Sequence, residues 1–177
     1  MSGRLQHGAR DSSDPVDDRP YRLDRALGFG LESRGWEGKG VCFVDPHEVL
    51  PGDTLGRAWL ITGEQLADVW AQENGESVGP ELDVTALASA GSLDFGRGWY
   101  RRMEYLGELD GHPVATVTCE TMPPLNASGL AYLDVVGRGI METWGLSAAE
   151  VAEYLASRQG NVGHVDQPQL QQLLERS

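Results

Sequence analysis

Lysine is nearly absent: Lys39 is the only one in the 177 residues. Arginine carries the rest of the positive charge, and 14 Lys and Arg stand against 27 Asp and Glu, a net charge of −13. A surface that negative repels phosphate backbones and anionic lipid, which argues against nucleic-acid and polybasic membrane roles. No apolar run approaches the roughly 20 residues that a membrane span needs. The opening MSGRLQHGARDSSDPVDD has no apolar segment of the kind a secretory signal carries. Cysteine is scarce as well. Cys42 and Cys119, each inside an apolar stretch, read as buried thiols of a reducing cytoplasm. Metal-ligand spacing is missing: His7, His47, His112 and His164 are scattered, none with a partner at i+3 or i+4. The glycines at 28, 30, 35, 38 and 40 are dense but lack dinucleotide-binding spacing and its following helix, and no Gly-x-Ser-x-Gly elbow occurs. The residues therefore predict neither a metal nor a nucleotide cofactor.

What is present is globular composition, 40% hydrophobic and 23% charged, in a length that suits one ordinary domain. Residues 1–20 are polar and without periodicity, and read as a loop or a frayed start. Arg25–Ser33, Gly40–Val44 and Leu55–Ile61 are short β-branched or aromatic runs between Gly, Pro and Asp, the pattern of strands. Thr62-x-x-Gln65 is a capping box opening a helix, and Gly75 sits where that helix should stop. Asp83–Ala90 suits a second short helix. Met103–Leu109 and Pro113–Cys119 flank Asp110-Gly111, the signal of a primed hairpin turn. After Pro123-Pro124 the chain reads as helical to its end, with Leu130, Leu133, Val136 and Ile140 on one stripe and Ser147-x-x-Glu150 opening another helix. The sum is an α+β domain with a mainly antiparallel sheet, covering residues 21–122, and a C-terminal helical extension, 123–177, packed on it.

Leu66, Val69, Trp70 and Glu73 fall at i, i+3, i+4 and i+7 of the first helix, which places a carboxylate on a face otherwise apolar. Burial and the negative end of the helix both disfavour the charged form, so this carboxyl's pKa is expected to rise toward that of a general base near neutral pH. Two other readings stand beside it. Glu73 pairs with one of the arginines, or the helix ends before it and leaves it solvated.

The run from Arg25 to Asn74 resembles the γ-glutamylcyclotransferase-like family, its actinobacterial members in particular. The matching features are Ser33-x-x-Trp36-x-Gly38-x-Gly40, then Val41–Pro46, Gly56-Arg57-Ala58, and a helix that begins Ile61-Thr62-x-Glu64-Gln65. That helix closes on Glu73, at the place of the family's catalytic acid/base. Gly98-x-Tyr100 and Ala131-Tyr132-Leu133 also match, so the resemblance covers about residues 20–157. It implies a small mixed, mainly antiparallel β-barrel with flanking and C-terminal helices. It also implies intramolecular aminolysis of a γ-glutamyl amine or amino acid, releasing 5-oxoproline, with Glu73 as proton shuttle. Ser33, Trp36, Gly38 and Tyr100 are the implied substrate-binding residues, with no metal, no cofactor and a cytoplasmic location.

The family's Tyr-Gly-Ser-Asn loop is absent from the chain. Met1-Ser2-Gly3-Arg4-Leu5 resembles the segment that follows this loop in relatives, so an internal start is expected. The same absence supports an alternative, a non-catalytic domain of this fold that binds a small ligand or a protein. An amide hydrolase or deacetylase is a third and remoter reading, since its ligands or nucleophile are not evident.

Overall fold

A computed structural model describes residues 9–50, 52–76, 79 and 82–176. The elements are β1 (Asp17–Leu23), β2 (Leu27–Ser33), β3 (Lys39–Val44), β4 (Thr54–Leu60), α1 (Gly63–Glu73), α2 (Val84–Ala90), β5 (Ser92–Asp94), β6 (Arg102–Leu109), β7 (His112–Thr118), α3 (Leu130–Trp144), α4 (Ala148–Ala156) and α5 (Gln167–Leu174). The fold is mixed, with antiparallel sheets and five helices among the described residues. Among the described residues the strands lie in three sheets: β1 with β4, β2 with β3, and β5-β6-β7. Among the described residues no helix is long and apolar enough to cross a membrane. The chain divides into two compact units interleaved in sequence. Unit 1 is Met1–Asp18 with Ala58–Glu120, and unit 2 is Arg19–Arg57 with Thr121–Ser177.

Unit 2 is built on the β2–β3 pair, with Leu27 opposite Val44 and Phe29 opposite Cys42. Its core gathers Leu27 and Phe29 from the sheet with Leu133, Ile140, Val151, Leu155, Leu170 and Leu174 from α3, α4 and α5. The other edge of β2 is covered by backbone: Phe29 N–H donates to Gln159 O at 2.8 Å, and Asn126 N–H donates to Phe29 O at 3.1 Å. Glycine is required there. A Cβ on Gly40 would stand 2.0 Å from Asn126 O, and one on Gly160 2.3 Å from Phe29 O. The helical reading of the C-terminal third is interrupted between α4 and α5, where the buried Asn161 side chain accepts from Ser128 N–H and donates to Leu155 O. One amide thus ties the end of α4 to the backbone of Ser128, 33 positions away from Asn161.

Unit 1 places α1 and α2 against one face of β5-β6-β7. Trp70, Ala71, Leu87 and Met103 form its buried centre, with Leu93, Phe95, Tyr105, Ala115 and Val117 packed around them. The Asp110-Gly111 turn has the expected primed geometry, φ 52° and 78°. The capping box at Thr62 and Gln65 is formed in both directions. β1 begins inside the stretch read as a loop. Its residues are mostly exposed, so an apolar period never existed to announce it.

Candidate functional site

The face that α1 buries differs from the one expected. Ala67, Trp70 and Ala71 are buried together with Gln65 and Asp68, whereas Val69 is 41% exposed and Glu73 is exposed. The two alanines decide this rotation. They let Trp70 bury completely, its ring 4.4 Å from that of Phe95 and tilted to it by 43°, while the polar Asp68 turns inward because it is fully provided with donors.

Those donors come from both ends of the chain that flanks the helix. Asp68 accepts from Arg10 N–H at 2.8 Å and from Gly79 N–H at 2.9 Å, and its carboxylate pairs with the Arg10 guanidinium at 3.0 Å. Bonding to Arg10, through side chain and backbone, holds its pKa far below the ordinary carboxylate range. Gln65 adds to the strap, its side-chain N–H donating to Ser13 O at 2.9 Å. A Cβ on Gly79 would lie 2.2 Å from the backbone of Ala67, so only glycine lets the returning chain come this close.

Glu73 is the last residue of α1. Although the residue is exposed, protein packed around its carboxyl displaces enough water to raise its pKa. Among the described residues no arginine pairs with it; Arg97, a cation of the same unit, is engaged by Glu76. Asn74 follows, and its side chain is tied to the backbone of Tyr100 through bonds of 3.0 and 3.1 Å. The structure therefore brings the Glu73 end of α1 and Tyr100 together within unit 1.

Ser33, Trp36 and Gly38 come together in unit 2. Ser33 is buried at the end of β2, opposite Lys39. A 3-10 turn over Arg34–Trp36 leads to Glu37 and Gly38, both left-handed at φ 56° and 75°. Gly38 N–H donates to Ser33 O at 2.8 Å, which closes the loop. Trp36 packs edge-on to Tyr132 with ring centroids 5.1 Å apart. Asn126 then fixes the loop from outside, donating to Leu31 O and Gly38 O at 2.6 and 2.9 Å. Beside it lies an open depression of about 680 Å³ lined by Lys39, Leu125, Asn126, Gln159, Gly160 and His164.

Cys119 is buried as expected, while Cys42 is half-buried, its sulfur accepting from the Tyr132 hydroxyl at 3.0 Å. Among the described residues no three His, Cys, Asp or Glu side chains gather as they would around a metal ion. Sequence reasoning missed Asp68 and Asn74. A carboxylate beside Ala67 and Ala71 was a readable anomaly on a helix face, whereas the bond from Asn74 to Tyr100 spans 26 positions and leaves no local signal.

No protein-family profile matches the chain, and no solved structure matches it. Histone deacetylase 5 of Arabidopsis thaliana is 30% identical over 167 residues, covering 84% of this chain. The chain spans about a quarter of that relative's length, 25%.

Proposed function

We propose that the chain is a γ-glutamylcyclotransferase-like enzyme, with Glu73 as the general acid/base. The supporting observation is a carboxyl raised by its surroundings and unpaired among the described residues, at the end of a helix anchored beside Tyr100. On this reading the substrate's α-amine attacks its own γ-carbonyl and closes a five-membered lactam. The γ-amide C–N bond breaks, and 5-oxoproline and a free amine leave. Glu73 accepts the proton shed by the attacking ammonium and passes one to the departing nitrogen. Tyr100 would line the pocket beside Glu73 in unit 1; Ser33, Trp36 and Gly38, the other residues that the resemblance implies, lie in unit 2. The same reading carries the family's small barrel as its expectation for the fold and assigns the activity to the cytoplasm.

The test is release of 5-oxoproline from γ-L-glutamyl-L-alanine. Glu73→Gln should keep the fold and lower kcat/KM by about 10²–10⁴-fold, the usual loss for a positioned acid/base. Activity surviving within a few-fold would remove Glu73 from the role.

A second reading is a non-catalytic binding module. The match to one quarter of a longer protein favours it, because a stretch of that size embedded in another chain behaves as a portable domain. An inactive wild-type chain that nonetheless binds γ-L-glutamyl-L-alanine by calorimetry would favour this reading. The relative's name adds deacetylation as a third, and an acetyl-lysine peptide assayed in parallel separates it from the first two.

A further inference from the structure

The residue after Glu73 makes more contacts than helix termination requires. An Asn at a helix end is ordinarily explained by its tolerance of the local backbone. Here the Asn74 amide does something else. Its Nδ2 donates to Trp70 O at 2.9 Å and to Tyr100 O at 3.0 Å, and its Oδ1 accepts from Tyr100 N–H at 3.1 Å. Both donors and the acceptor are used, and both backbone groups of Tyr100 are engaged as a neighbouring strand would engage them.

The opposite segment is shaped to admit that amide. Gly98 has φ +83°, and a Cβ there would stand 1.9 Å from Asn74 Oδ1. Arg97 and Glu76 form an ion pair between the same two stretches, Nε to Oε1 at 2.6 Å. Glu76 N–H in turn donates to Ala71 O at 2.8 Å, so the chain beyond the helix folds back on its last turn. The end of α1 is thus held on two sides while the Glu73 side chain remains free of any ion pair among the described residues.

We propose that Asn74 is a positioning residue for Glu73: its side-chain amide bolts the last turn of α1 to the backbone of Tyr100 and so fixes where the neighbouring carboxyl stands. The role rests on the reading of Glu73 as proton shuttle. Its physical basis is that a general acid/base acts only within hydrogen-bond reach of the proton it moves. A helix end that frays displaces that group, and a displacement of about 1 Å costs on the order of 10²-fold.

The experiment compares the full chain with Asn74→Ala, Asn74→Asp and Gly98→Ala. Asn74→Asp is nearly isosteric and keeps the acceptor for Tyr100 N–H while losing both donors. Gly98→Ala expels the amide without altering Asn74 or Glu73. With γ-L-glutamyl-L-alanine, kcat should fall about 10–100-fold in each, with KM within two-fold of the wild-type value. In parallel, ¹³C-carboxyl NMR should show the Glu73 titration midpoint dropping toward that of an ordinary glutamate in Asn74→Ala and Gly98→Ala. A folded Asn74→Ala or Asn74→Asp chain with unchanged kcat, while Glu73→Gln is inactive, overturns the positioning role and leaves the shuttle intact. A wild-type chain with no turnover defeats the shuttle reading instead, and the NMR arm still decides: an unmoved Glu73 midpoint in both variants overturns the bolt.

Discussion

Unit 2 buries Phe29, Leu133, Val151, Ala152, Leu155, Leu170 and Leu174 to zero exposure, whereas unit 1 does so in its core cluster only for Trp70, Ala71, Leu87 and Met103. The first is assembled from three amphipathic helices on a strand pair. The second has one indole at its centre, and its remaining order comes from side chains that grip backbone: Asp68 on Arg10 and Gly79, Asn74 on Tyr100. Apolar burial is non-directional and holds elements together without specifying where a loop goes. Hydrogen bonds to a buried carboxylate or amide specify position and are costly to leave unmade. A region whose loops must be held in one place against a helix end gains more from the second kind of contact.

The sharpest way to break the contrast is Trp70→Ala, which should cost about 3–5 kcal/mol by denaturant titration, the range for truncating a fully buried large aromatic. Trp70→Phe should cost much less, because the indole N–H has no acceptor among the described residues. Next comes Asp68→Asn, which removes the charge that Arg10 and two backbone N–H groups address. Its pH signature has a definite sign. The folded carboxyl is held below its unfolded value of about 3.9, so its contribution is complete above that pH and declines as acid carries the chain down toward the folded value. Acid unfolding followed by tryptophan fluorescence should therefore be shallower in Asp68→Asn than in the parent. In unit 2, Ser147→Ala removes the cap of α4, whose hydroxyl accepts from Glu150 N–H. A loss of about 1 kcal/mol is expected. Smallest of all is Glu142→Gln, since the Arg57 pair it breaks has a carboxylate 70% exposed; thermal melts should move by less than about 1 kcal/mol equivalent.

Local chemistry made much of this fold legible. Both capping boxes, the Asp110-Gly111 turn, and the strands around Val41 and Val117 follow from residues within a few positions of one another. The rotation of α1 did not. Val69 and Leu66 are larger and more apolar than Ala67 and Ala71, so counting hydrophobicity pointed the wrong way. What decided it was the space left for Trp70 and the donors brought to Asp68 by residues 10 and 79, which no helical period contains. Glu73 was singled out by its register with Leu66, Val69 and Trp70 and then by its place in a resemblance, and its exposure differs from the burial that its assumed face implied. The helix stop was legible at Gly75, but the tie from Asn74 to Tyr100 was not.

The cover on the free edge of β2 has a consequence for synthesis. The groups that satisfy Phe29 come from Asn126 and Gln159, late in the chain. A ribosome exposes β2 and β3 long before either partner has been made. During that interval the strand presents unpaired N–H and C=O groups beside Leu27 and Phe29, the surface that other nascent chains can join. The glycines at 40 and 160 then act once residues 126 and 159 have been made, when they let those segments close against an edge that has waited open.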